Sequence, residues 1–163
     1  MQFLYSICVW LEASSLGTAV RDSEWLFPII ETVHIIGIVL LVGSTSVLDL
    51  RLMGLTYRQQ PVSKLAWRFL PWAWVGFVIQ VITGALLFAS EATKMYDNPG
   101  FRIKMLLIVV AGLNALVFHS IAYQSVNKWE NDPVAPLSAR AAGLISIVLW
   151  FGIVGFGRWI AYV

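Results

Sequence analysis

The sequence predicts an all-α integral membrane protein, an antiparallel four-helix bundle preceded by a short interfacial helix. Of the 163 residues, 59% are hydrophobic and only 12% are charged. Four windows hold the roughly 20 consecutive apolar residues that a membrane-crossing helix needs. They cover about 25–48, 69–89, 103–123 and 139–160 within a single membrane domain, 1–163. The connections between them are short, which favours antiparallel neighbours.

The first ten residues, MQFLYSICVW, are apolar but too short to cross a bilayer. They contain none of the basic residues that open a signal peptide. We therefore expect residues 3–12 to lie at the membrane surface as an interfacial segment. A short loop with Gly17 and Arg21 should follow, and Ser23 is suited to cap the first span.

Turn-forming residues separate the later spans. The tripeptide Asn98-Pro99-Gly100 precedes the third span, and Asn131-Asp132-Pro133 precedes the fourth. Both combinations are strong breakers of regular structure. They predict a tight connection before each of these two helices.

The basic residues indicate an orientation. One, Arg21, precedes the first span, and four follow it: Arg51, Arg58, Lys64 and Arg68. Because cytoplasmic loops carry an excess of Lys and Arg, this distribution predicts a bacterial inner-membrane protein with both termini outside. Lys94, Arg102 and Lys104, counted with the outer loop around the start of the third span, weigh mildly against it. The net charge of +2 gives no reason to expect nucleic acid, so the lipid bilayer is the expected partner and oligomerisation stays open.

His34 and His119 are the only histidines, and each lies inside a predicted span. An ionisable residue within the membrane is a functional-site hypothesis by default. Imidazole is also a common axial ligand of haem iron. We therefore expect the two histidines to be metal ligands that hold one haem b between them. From the predicted helix starts they differ in depth by ~10 Å, a gap that helix tilt would have to close.

The residues around His34 suit such a site. Glu31 and Gly37 share its helical face by three- and four-residue spacing. Glu31 is expected to accept the second imidazole proton, as carboxylates do behind metal ligands, although solvation near the headgroups explains it equally well. Gly37 has no side chain and would leave room for a flat ligand.

On the third span, Gly112 and Ala115 line one face with His119. Small residues there would admit a porphyrin, and they suit ordinary helix packing equally well. Arg158, near the outer end of the fourth span, would fit a haem propionate or extend to the headgroups.

Two other functions stay open. A transporter of copper or another small solute would use the thioethers of Met53, Met95 and Met105, which are ligands that select Cu(I). A structural subunit of a membrane complex would use the histidines only for interhelical hydrogen bonds. No constellation of catalytic residues is found, so an electron-transfer protein is favoured over an enzyme, with a quinone or a periplasmic redox protein as its partner.

Several phrases carry a resemblance: Trp25-Leu26-Phe27-Pro28, His34-Ile35-Ile36-Gly37, Asp49 to Gly54, Asn98 to Lys104 and Asn114 to His119. Together they resemble an uncharacterised family of bacterial inner-membrane proteins of about this length. The spacing from Lys104 to Asn114 is similar to part of the CopD-type copper-resistance membrane domains. More broadly, the chain resembles four-helix b-type cytochromes, which implies haem held between inward-facing histidines. With two histidines instead of four, at most one such haem is implied.

Overall fold

The computed structural model describes residues 2–162, which form helices joined by turns. Four helices are long and apolar enough to cross a membrane, spanning Leu26–Leu52, Val62–Ser90, Pro99–Lys128 and Leu137–Tyr162. The prediction of an all-helical bundle with four candidate spans is thus confirmed. In chain order the α-helices are α1 (Gln2–Glu12), α2 (Ser15–Asp22), α3 (Leu26–Leu52), α4 (Val62–Ser90), α5 (Ala92–Asp97), α6 (Pro99–Val117) and α7 (Leu137–Trp159).

The N-terminal segment forms a bent pair of helices, α1 and α2, with an angle of 59° between them. Residues 15–22 were expected to be loop and are helical instead. The Ser14 hydroxyl accepts a hydrogen bond from the amide of Gly17, which caps α2. Gly17 then packs so tightly that a Cβ on it would lie 2.8 Å from the Ala89 carbonyl oxygen. Packing against α4 therefore stabilises a helix too short to form alone.

Polar side chains fix the starts of two spans. The Ser23 hydroxyl accepts hydrogen bonds from the amides of Trp25 and Leu26 just before α3, but the N-cap position itself is Trp25 and not Ser23 as predicted. Asn98 caps α6 by accepting from the amide of Phe101, and Pro99 occupies the first helical position. The Asn98 amide nitrogen also donates to the Ile160 carbonyl oxygen at 3.2 Å. This bond joins the start of α6 to the end of the last span.

The third span ends irregularly. After α6 the chain makes a π-helical turn, Phe118–Ala122, and a 3₁₀ helix, Tyr123–Lys128. A second 3₁₀ turn, Ile160–Tyr162, follows α7. All four spans extend past the apolar windows, because polar residues beside the windows remain helical. In α4 this extension places Pro71 inside the helix.

The four spans pack in the order α4–α3–α7–α6. Within residues 2–162, α3 packs along both α4 and α7, whereas α6 packs mainly on α7. The α4–α6 side is joined where Phe88 and Phe101 stack, with ring centroids 5.3 Å apart. We call the end that carries α1, α2 and α5 the hairpin end, and the end with connections 53–61 and 129–136 the loop end.

The loop end has a small apolar core and a buried arginine. The core residues are Leu52, Val62, Ala122, Val126, Trp129, Ala135 and Ala139, with Phe118 and Tyr123 packed against them. Arg51 is completely buried beside it. Its guanidinium donates to the backbone carbonyl oxygens of Gln60, Glu130 and Asp132 at 2.8–3.1 Å. One side chain on α3 thus links both loops of this end.

Candidate functional site

His34 lies between α3 and α4 in the hairpin half of the bundle. Its Nδ1 is 2.7 Å from the hydroxyl oxygen of Thr83, which is a buried residue of α4. The Thr83 hydroxyl donates in turn to the Ile79 carbonyl oxygen at 2.6 Å. Because the hydroxyl has a single proton, this second bond makes the oxygen an acceptor toward the imidazole. His34 therefore carries a proton on Nδ1 and donates it to Thr83.

The same bonds leave the other ring nitrogen free. Within residues 2–162 no hydrogen bond reaches Nε2 of His34. A neutral imidazole with its Nδ1 proton donated presents a lone pair at Nε2, which is the form that ligates metals. His34 thus has the chemistry of a metal ligand with its orientation fixed by Thr83.

Two α4 residues shape the surroundings of this imidazole. The Gln80 amide nitrogen donates to the backbone carbonyl oxygen of His34, which ties the two helices at this level. A Cβ on Gly84 would lie 3.4 Å from Cε1 of His34 and would contact no other residue within 4 Å. The imidazole therefore packs directly against the backbone of Gly84.

Lys104 lies on α6, where its side chain packs against α7 in the hairpin half of the bundle. The lysine is half-buried. Its side chain lies against Gly157 of α7, because a Cβ built on this glycine would come within 3.5 Å of the lysine Nζ. No hydrogen bond or ion pair to its ammonium group is found in the described part of the chain.

His119 lies far from His34. It belongs to the π-helical turn, directly after Phe118, which packs against the loop-end cluster that contains Leu52. Leu52 and His34 are ~27 Å apart along α3 at 1.5 Å per residue. Two imidazole nitrogens on one metal lie about 4 Å apart, because each bond is about 2 Å long. The arrangement does not bring the two histidines together.

The surroundings of His119 are aromatic and exposed. Its ring stacks on Tyr123 with centroids 4.8 Å apart and meets the edge of Phe118 at 6.3 Å. Gly112 and Ala115 of α6 are also exposed, and a Cβ on Gly112 would meet nothing within 4 Å. These two small residues face open space instead of a neighbouring helix.

The other residues expected near His34 have different positions. Glu31 is exposed, and Thr83 takes its expected place as the partner of the imidazole proton. Gly37 is buried where α3 crosses α4. The two helices are so close there that a Cβ on Gly37 would lie 2.7 Å from the Gln80 amide nitrogen. It serves helix packing instead of ligand clearance. Arg158 is exposed, and its guanidinium donates to the Tyr162 hydroxyl at 3.3 Å.

No group of three or more His, Cys, Asp or Glu that could hold a metal ion is found among residues 2–162. The methionines are dispersed, with Met53 at the loop end and Met95 and Met105 at the hairpin end. Sequence reasoning counted Lys104 with the charges of the outer loop and assigned it no site role, although the predicted third span, 103–123, contains it. The Asn98 cap, which starts α6 before Lys104, confirms its place inside the helix.

Comparisons with known proteins give one match. None of the curated proteins and none of the solved structures matches the chain. A family model described as a family of unknown function, DUF6644, matches residues 7–163. Since this match covers nearly the whole sequence, the protein belongs to the DUF6644 family of unknown function.

Proposed function

We propose that this protein binds one haem b in the hairpin half of its bundle, where Nε2 of His34 would hold the iron. The observation that carries the proposal is the chain of hydrogen bonds from His34 through Thr83 to Ile79, which leaves Nε2 bare. Histidines that ligate metals almost always donate their other ring N–H in this way. The donor set fits a haem held by one imidazole and does not fit one shared with His119.

Each residue around His34 has a role in this proposal. Thr83 fixes the tautomer and the ring orientation, and Gln80 holds the backbone of His34 against α4. Gly84 lets the imidazole lie close to α4, because a Cβ there would come 3.4 Å from Cε1 of His34. The bound haem would supply one-electron chemistry, so the protein would pass electrons between a quinol pool or a periplasmic partner and another redox protein.

The location of the protein is part of the proposal. Four apolar helices suit a membrane protein, and the basic residues around the first span favour the bacterial inner membrane with both termini outside. In this orientation the hairpin end, and with it His34, lies toward the periplasm. The short helix α1, whose apolar side chains include exposed Phe3 and Trp10, would lie in the outer interface.

Haem titration of the purified protein in detergent tests the proposal. The wild-type protein and His119→Ala should bind one haem and develop a Soret band, whereas His34→Ala should not. His34→Gly should regain the band when free imidazole is added, and circular dichroism should show that all variants are folded. Absence of a band in the wild-type protein refutes haem binding. Equal loss in both alanine variants would mean that His119 is a ligand as well.

A further inference from the structure

Asp49 is enclosed between two helices of the bundle. It lies in the last turn of α3, before Leu52, and only 7% of it is exposed. Gly143 of α7 lies directly against its backbone, because a Cβ built on this glycine would come within 2.9 Å of the Asp49 carbonyl oxygen and 3.4 Å of its Cα. The Ser146 side chain, one turn further along α7, hydrogen-bonds the Asp49 carboxyl. The carboxyl thus lies in the contact between α3 and α7, away from water.

Within residues 2–162 no positive charge compensates this carboxyl. Asp49 forms no ion pair there, and its Oδ2 atom is buried without a hydrogen-bond partner. Arg51, two positions further along α3, donates to backbone carbonyl oxygens of the two connections at the loop end. The half-buried Glu130 is itself acidic and cannot neutralise Asp49. The other charged side chains of the loop end are exposed: Arg58, Lys64, Arg68, Lys128, Asp132 and Arg140.

We propose that Asp49 is a proton-binding site, which holds its proton at neutral pH in the contact between α3 and α7. An isolated buried carboxylate is so costly that the group takes up a proton instead. The neutral carboxyl has one O–H, which it donates to Ser146, and Oδ2 then remains as an uncharged acceptor. Because the proton belongs to a helix contact, its release would weaken the packing of α3 on α7. This inference does not depend on haem binding, since His34 lies ~22 Å away along α3.

Infrared spectroscopy of the purified protein in detergent, with the aspartate carboxyl carbons labelled with a heavy isotope, tests the protonation. The chain has four aspartates. Three of them, Asp22, Asp97 and Asp132, are exposed and should be ionised at pH 7, because the ordinary pKa of an aspartate is about 3.9. We expect the label to reveal one protonated carboxyl at pH 7, which Asp49→Asn removes and Asp132→Asn retains. Carboxylate bands alone in the wild-type protein would overturn the proposal, even if Asp49→Asn does not fold.

The pH dependence of unfolding in mixed detergent micelles tests whether the proton stabilises the fold. Unfolding exposes Asp49, which then releases its proton above a pH of about 4. The unfolding equilibrium constant of the wild-type protein should therefore rise about tenfold per pH unit relative to that of Asp49→Asn, which has no proton to release. Asp132→Asn should show no such difference from the wild-type protein. A constant ratio between the wild-type protein and Asp49→Asn from about pH 5 to 7 would mean that Asp49 binds no proton in the folded state.

Discussion

Gly76 of α4 lies directly against the backbone of Leu41 in α3, where a Cβ on the glycine would come within 2.6 Å of the Leu41 amide nitrogen. This tight contact lies where α3 and α4 cross, and the candidate site is built around these two helices. His34 lies two helical turns before Leu41, and Thr83 lies two turns after Gly76. Since the helices are antiparallel, both residues reach the same level, ~10 Å from the crossing. The crossing therefore positions the hydrogen bond that fixes the imidazole.

Replacing Gly76 by alanine should destabilise the bundle and weaken ligand binding at His34. The new methyl group would meet backbone atoms of α3 that cannot move aside, and overpacking of this kind costs about 1–3 kcal/mol. Thermal unfolding in detergent measures the effect. Gly112→Ala is the matched control, because its Cβ would meet nothing within 4 Å and alanine favours a helix by about 1 kcal/mol. Equal melting temperatures for the two variants would contradict the tight crossing.

The spans were predictable from sequence because length and hydropathy are local properties of a membrane helix. The short helices α2 and α5 were not, since each is too short to be stable without its neighbours. The Ser14 cap and the contact of Gly17 with the Ala89 carbonyl oxygen determine α2. Such a contact between distant segments leaves no periodic pattern in the sequence.

The site was predicted only in part for a similar reason. Spacing on one helix placed Glu31 and Gly37 beside His34, but the partner of the imidazole, Thr83, comes from another helix. Lys104, at the margin of the predicted span 103–123, was counted with the outer-loop charges because its position in the bundle depends on contacts with another helix. From the predicted helix starts, the depth difference between the two histidines is ~10 Å. The observed starts of α3 at Leu26 and of α6 at Pro99 make this difference larger.

Removal of the Thr83 hydroxyl should weaken metal ligation without unfolding the protein. Thr83→Val preserves shape but leaves the Nδ1 proton of His34 without an acceptor, and losing such a partner typically lowers metal affinity by about 10–100-fold. Haem titration measures this loss, and the reduction potential of the bound haem should shift as well. Thr83→Ser keeps the hydroxyl and should restore both quantities. Thr45→Val is the control, since the Thr45 hydroxyl bonds only carbonyls of its own helix. Unchanged affinity in Thr83→Val would show that Thr83 does not orient the ring.

Arg51 should hold the two connections of the loop end in place. Its guanidinium is inaccessible to water and donates to one carbonyl of residues 53–61 and two of residues 129–136. Hydrogen bonds to charged groups contribute about 1.5–3 kcal/mol each. Arg51→Met should therefore make both connections more sensitive to limited proteolysis, with cleavage sites identified by mass spectrometry. Arg140→Met, which replaces an exposed arginine, should leave the cleavage pattern unchanged. Resistance of Arg51→Met at both connections would contradict this role.

Acidification should release the N-terminal hairpin from α5. Hydrogen bonds from the Thr93 hydroxyl at 2.5 Å and the Thr93 amide at 2.9 Å, together with the nearby Arg21, lower the pKa of Glu12. A carboxyl whose pKa is lower in the folded protein contributes stability above the unfolded pKa of about 4.3, and loses it as pH falls through the folded value. Cys8, the single cysteine, is buried in α1 and reports this release through its reaction with a disulfide reagent active in acid.

The labelling rate of Cys8 should rise as the pH falls below about 4.3. In Glu12→Gln the rate should already be raised at pH 7 and should change little on acidification, since the neutral amide forms weaker hydrogen bonds with Thr93. Glu24→Gln is the matched control, because Glu24 is exposed and lies outside the contact between α1 and α5. A labelling rate in Glu12→Gln that equals the wild-type rate at pH 7 would show that this carboxylate does not hold the hairpin.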